Sequence, residues 1–295
     1  MNNFDEGHSA VADMRQRIEA TTELPAMPEA AQALLKLSND PQGNIQDLVN
    51  IIEHDPSIAA QIMRYARSAF FGYSGEITSL QQAVTAVLGY SLSLDIAIGL
   101  SLGKAFNIPN FGPMGLYPFW RHAVHSAALC QRLCHAMAHT PRPRPGMAFL
   151  AGLLHNFGVL LVAHLFRKEA LQLARRIEAE ASRPVIDIEH EMFGADHQEI
   201  GAWLLRRWNL QDEIVVSVAQ HHRPQFAGEH AGHAHLVLLA DRLLKRHGIG
   251  DAESEALPEA LLASLGLTTE DAEAALEATL AAGPDLDLLA HQFPG

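Results

Sequence analysis

Ten residues in mid-chain, Phe149-Leu150-Ala151-Gly152-Leu153-Leu154-His155-Asn156-Phe157-Gly158, restrict what this chain can fold into. The apolar run reads as a buried helix that breaks at Gly158. It carries His155 and Asn156 into the interior with it. A buried polar group left without a partner costs roughly 1–3 kcal/mol. The interior must therefore hold something polar for these two side chains to meet.

The rest of the chain supplies helices to surround them. Ile45, Leu48, Val49 and Ile52 mark one apolar helical face, and Asp55-Pro56 caps and starts the next helix. Ser79-Leu80-Gln81-Gln82 and Asp196-His197-Gln198-Glu199 have capping-box form. No strand-like alternation interrupts the pattern, and an aromatic content of only 6% leaves a Leu, Ile, Val and Ala core. The expected fold is all-α, in two helical subdomains with a short helical C-terminal appendage. The expected division is a lead-in over 1–23, a domain over 24–244 and an acidic extension over 251–295. Within the domain, subdomains of 24–106 and 119–244 are joined by the Pro- and Gly-rich stretch from Asn107 to Pro118. The loop Pro141-Arg142-Pro143-Arg144-Pro145-Gly146 is basic and broken by prolines.

Charge and composition narrow the partners. A formal net charge of -13 repels phosphate backbones, so general nucleic-acid binding is not expected. Arg142, Arg144, Arg167, Lys168, Arg175 and Arg176 could offer a local basic face, but solvated helix surfaces account for them. The start, Met1-Asn2-Asn3-Phe4-Asp5-Glu6, has no signal-peptide pattern, and no uninterrupted apolar segment of about 18 residues is read as a membrane span. The protein is expected in the cytosol. Cys130 and Cys134, four apart on one helix face, read as reduced core thiols.

Seventeen histidines is a high number for 295 residues. Six groups could converge on the mid-chain stretch: His122, His155, His197, His221, His222 and Asp241. Imidazoles on separate inward faces together with a carboxylate are what a transition-metal site needs. His125 lies close to His122 on one helix, and either could be the inward one.

The order of landmarks resembles the HD superfamily of metal-dependent phosphohydrolases, and most closely the HDOD domain of bacterial signalling proteins. The landmarks are Leu24-Pro25 with Pro28, Asp55-Pro56, Phe71-Gly72, Leu88-Gly89, Trp120 with His122, His155-Asn156, Gly194 with Asp196-His197 and Gly201, and His221-His222 with Pro224. The resemblance spans about Leu24 to Leu244 and implies an all-helical fold whose second half is a degenerate HD bundle.

The departures from the enzymatic pattern carry the functional expectation. Catalytic HD proteins resemble this chain except that an Asp follows the second His; here Asn156 stands there. An amide is a neutral, weaker ligand and a poor bridge between metals. The HD-GYP phosphodiesterases place Gly-Lys where this chain has Gly158-Val159, and His-His-Glu where it has His221-His222-Arg223. The Gly-Tyr-Pro signature is missing. The resemblance thus implies a regulatory module, not an enzyme, that binds a signalling protein or a small ligand or nucleotide, in a cleft between the helical halves, and acts in trans. His122, His155, Asn156, His197, His221, His222 and Asp241 would form a vestigial site. No cofactor is expected of it, although His155, His197, His221, His222 and Asp241 could hold one divalent transition metal. The alternative reading is a divergent phosphohydrolase using that one metal. Asn156 could also simply cap a helix end.

Overall fold

In the computed structural model the described residues are 17, 21, 24–108, 116–138, 142–251 and 256–293, and among them the regular structure is helical, without strands. The expected lead-in therefore lies almost wholly outside the described residues, as does most of the expected joint between subdomains.

The first half is built from α1 (Glu29–Ser38), α2 (Ile45–Glu53), α3 (Pro56–Arg67), the short α4 (Leu80–Gln82) and α5 (Tyr90–Gly103). Asn44 caps α2 through its side chain, and Asp55 caps α3. Asp55 also receives Lys104 Nζ at 2.7 Å, which ties the start of α3 to the end of α5. α4 runs straight into a π-helical turn, Ala83–Leu88, and the chain then turns at Gly89 with φ 77°. That positive φ is glycine territory.

The second half contains α6 (Leu116–Ala136), α7 (Pro145–Leu154), α8 (Phe157–Leu165), α9 (Arg167–Ala179), α10 (Val185–Phe193), α11 (His197–Arg207), α12 (Asp212–Gln220) and α13 (Ala231–Lys245). Three further helices follow: α14 (Glu259–Leu265), α15 (Thr269–Ala281) and α16 (Gly283–Ala290). α7 is the buried axis, packing on α6, α5, α12 and α13. α15 and α16 lie against α6, and α16 also reaches α3. The C-terminal segment, expected as an appendage, is thus packed along the longest helix of the site. Asp287 on α16 binds Arg121 at 2.8 Å and His125 at 2.9 Å. Of the two neighbouring histidines on α6, His125 is spent on this contact.

The helix break falls earlier than the sequence suggests. α7 ends at Leu154 and α8 begins at Phe157, so His155-Asn156 is itself the break. Gly158 lies inside α8, where it lets that helix press on the start of α11. A Cβ at 158 would run into the backbone carbonyl of His197. Asn156 precedes α8 without any side-chain capping bond, so a helix-capping role does not account for it. The stretch Pro145–Leu165 is long and apolar enough, by length and composition alone, to cross a membrane. However, 94% of its apolar window is buried among the protein's own helices. The cysteines are free and buried.

The close approach at Gly158 makes a sharp test of this packing. Gly158→Ala would force α8 away from α11, because backbone atoms cannot yield as side-chain ends do. The expected loss is about 1–3 kcal/mol in urea unfolding, the usual range for overpacking. A variant as stable as the parent would show that the two helices are not pressed together there.

Candidate functional site

Side chains from four other helices meet at the α7–α8 break. His122 comes from α6, His155 and Asn156 from the break, His197 from the first residue of α11, His221 and His222 from the end of α12, and Asp241 from α13. All seven expected residues are brought to one region, but they do not form one cluster. They divide into two groups.

The first group is His197, His221 and His222, whose ligating atoms lie within 4.8 Å of one another. Its hydrogen bonds can be assigned from donor and acceptor chemistry. His221 Nδ1–H donates to the Val218 carbonyl at 2.9 Å, so in the neutral ring Nε2 is an acceptor. His197 Nδ1–H donates to Glu189 Oε2 at 2.7 Å. His197 Nε2 faces the Nε2 atoms of both His221 and His222 at 3.2 Å. A doubly protonated His197 satisfies every one of these contacts. The electrostatics agree: burial opposes the charge on His197, but the Glu189 carboxylate outweighs it and lifts the pKa to about 9. Burial and the neighbouring imidazoles His222, His155 and His197 push His221 well below its ordinary value. In this group the His197 ring lies between Glu189 on one side and the His221 and His222 rings on the other.

The second group is His122, His155, Asp241 and Asp251, again with ligating atoms within 4.8 Å of one another. His122 Nε2–H donates to Asp241 Oδ1 at 2.8 Å. Burial disfavours the His122 cation, but that hydrogen bond and the Asp241 and Asp251 charges raise its pKa on balance. His155 Nδ1–H donates to the Gly152 carbonyl at 2.7 Å, which leaves the Nε2 lone pair pointing into the site. Burial first, and then the His122 charge, lower the His155 pKa to about 4. Three buried atoms here have no hydrogen-bond partner: His155 Nε2, Asn156 Oδ1 and Asp241 Oδ2. Buried acceptors are rarely left so. A lone pair on neutral imidazole, a carboxylate oxygen and an amide oxygen are the donors a divalent cation takes, so these residues fit a single metal.

The five-residue metal set expected from sequence is therefore redistributed. His155 and Asp241 stay together, joined by His122 and Asp251. His197, His221 and His222 form the neighbouring group, with the His155 and His221 rings 5.0 Å apart. Two functional residues escaped the sequence reading. Glu189 looks like an ordinary acidic position on α10, yet it is 3% exposed. Asp251 opens the acidic stretch after α13 and bears no motif.

A cleft of about 810 Å³ opens beside the second group. Its lining includes His122, Asn156 and Asp251, together with the cationic Arg121, Arg183 and Lys245. Its walls come from α6, the α9–α10 region and the turn after α13, so it lies within the second half rather than between the two halves.

A helical bundle with imidazoles and carboxylates gathered at a helix break defines an HD-related protein. The chain belongs to the HDOD domain family, which matches residues 24–224. It is similar to a crystal structure of a provisionally named signal transduction protein from Marinobacter aquaeolei VT8, with 32% identity and a TM-score of 0.83, covering 98% of this chain and 65% of that one. An HDOD domain protein with unknown function from Geobacter sulfurreducens shares the fold at 21% identity and a TM-score of 0.76, covering 96% and 98%. An uncharacterized protein from Treponema pallidum (strain Nichols) is 23% identical over 260 residues, or 88% of this chain. The chain spans about half the length of that curated relative, 48%.

The protonated group makes a pH prediction. His197 has its pKa raised above the value of about 6.5 for an unfolded histidine. Its contribution to stability is then fully present below about pH 6.5 and is lost as pH rises through about 9. Glu189→Gln should lower the His197 pKa, weaken the protein at neutral pH and flatten the decline towards alkaline pH. Ring-proton NMR titration and urea melts at several pH values read both effects. A His197 that titrates normally in the parent would contradict the assignment.

Proposed function

We propose that this protein is a non-catalytic signalling module that binds a small anionic ligand in the cleft beside the site. The observation that carries the reading is Asn156. Hydrolysis by two metals asks for a carboxylate shared between them. The residue at that place in the family order offers a neutral amide, and Val159 offers no charge to steady a phosphate. Arg121, Arg183 and Lys245 among the lining residues supply the positive charge an anionic ligand needs. The cleft is within the size range of small-molecule sites. Likeness to a protein named for signal transduction supports the role in signalling. In a cytosolic setting the module would pass ligand occupancy to a protein partner in trans.

A second reading, a phosphohydrolase working with one metal, is favoured by the three unpartnered atoms around His155. One assay separates the two. Purified protein is incubated with cyclic dinucleotides, p-nitrophenyl phosphate and its diester in millimolar Mn2+, Co2+, Zn2+ or Mg2+. No turnover above that of a His155→Ala variant is expected. Metal-dependent turnover that His155→Ala abolishes would overturn the non-catalytic reading.

A further inference from the structure

Asp251 stands where the site is short of charge, and the chain reaches it by an unusual route. After α13 the backbone runs through Gly248 with φ 67° and Gly250 with φ 100°. A Cβ at position 250 would sit 2.7 Å from Asp241 Oδ1 and 2.8 Å from His122 Nε2. The turn is therefore laid directly over the His122–Asp241 pair, and no side chain fits at 250. The next residue delivers its carboxylate beside the site. Asp251 lies 3.8 Å from His122 Nδ1 and 3.4 Å from Asn156 Nδ2 through either oxygen. These are long contacts, and neither completes a good hydrogen bond.

The unpartnered atoms lie in the same place. His155 Nε2, Asp241 Oδ2 and Asn156 Oδ1 belong to residues 0%, 1% and 4% exposed, and among the described residues no protein group answers them. Two carboxylates beside those lone pairs balance one doubly charged cation.

We infer that Asp251, supplied from beyond α13, is a metal ligand that restores the negative charge missing at Asn156, and that with His122, His155 and Asp241 it holds one divalent transition cation. The mixed nitrogen and oxygen donors suit Mn2+ or Co2+ better than Mg2+. On binding, His122 Nε2 exchanges its proton for the metal, and that proton leaves to solvent. The inference is separate from the question of turnover, because a bound cation without hydrolysis agrees with both.

The test is binding, read without any substrate. Metal-stripped full chain is titrated with Co2+ by visible absorption and calorimetry, and metal per chain is measured by elemental analysis. One Co2+ per chain is expected. Asp251→Asn should weaken binding roughly tenfold or more, in line with losing a charged ligand. Adding Asn156→Asp to that variant should recover most of the loss, since the carboxylate returns from the other side of the site. Gly250→Ala keeps the carboxylate but lifts the turn, and should also weaken binding. It serves as the second variant if Asp251→Asn proves unfolded by circular dichroism. No binding, two cations per chain, or unchanged affinity in Asp251→Asn or Gly250→Ala would each overturn the inference. Turnover in the hydrolysis assay would refute the proposed function and leave this inference standing.

Discussion

The site depends on one constraint: polar atoms delivered by an apolar helix break have to be answered inside the protein. α7 and α8 are nearly all apolar and nearly all buried. Between them His155 and Asn156 enter the core at 0% and 4% exposure. Each His155 nitrogen must find a partner or remain a cost of roughly 1–3 kcal/mol. Nδ1 is answered by the Gly152 carbonyl, one turn back on the same helix. That bond fixes the tautomer and turns the other nitrogen outward to the site. The local helix geometry, not a distant contact, thus decides that His155 presents a lone pair.

The same logic divides the seven expected residues into two groups of different character. Glu189 is buried and negative, and it takes up both the backbone N–H and the ring Nδ1–H of His197. A buried carboxylate needs that compensation, and an imidazolium is the cheapest available. His221 and His222 both face His197 Nε2 through their own Nε2 atoms. Around Asp241 the balance differs, because one of its oxygens binds His122 and the other is unanswered. Asp251 adds a second negative charge. Burial pushes its carboxyl up, but His122, His197, His222 and His155 pull it down further, well below the usual carboxylate range. One group is neutralised from within, and the other has negative charge and lone pairs to spare.

Much of this was legible in the sequence, and the parts that were not have physical reasons. The helical fold followed from period and caps. Asp55 and Asp196 cap their helices as expected, the latter in a reciprocal capping box. The histidines and Asp241 were found because each lies on an inward face or at a helix end. Their division was not, since spacing says nothing about which imidazoles hydrogen-bond to one another. Glu189 was hidden because one acid on an amphipathic helix looks like any solvated acid until α11 is packed over it. The role of Gly158 was misjudged for a similar reason: a glycine after a polar pair reads as a stop, whereas here it marks contact with another helix. Asp251 did leave a trace. Gly248-Ile249-Gly250, close behind a helix, is a turn under steric demand, and an acid follows it. An acidic, Ala- and Leu-rich continuation concealed it.

The packing of α15 and α16 on α6 has a consequence for the cleft. Asp287 holds Arg121 and His125 together on α6, so Arg121 lines the cleft from a fixed position while its charge is partly offset. Arg183 is likewise shared with Glu180 and Glu191. The cations at the cleft are thus moderated ones, set in a chain with a net charge of -13. Long polyanions meet repulsion from the whole surface, which is screened only beyond about 8–10 Å at physiological salt. A compact anion that fits inside the cleft escapes most of that repulsion and feels the nearby cations at short range. The small anionic ligand proposed above, rather than a nucleic acid, is the occupant this balance of size and charge suits, and the proposed cation at Asp241 and Asp251 would add to the attraction on the same wall.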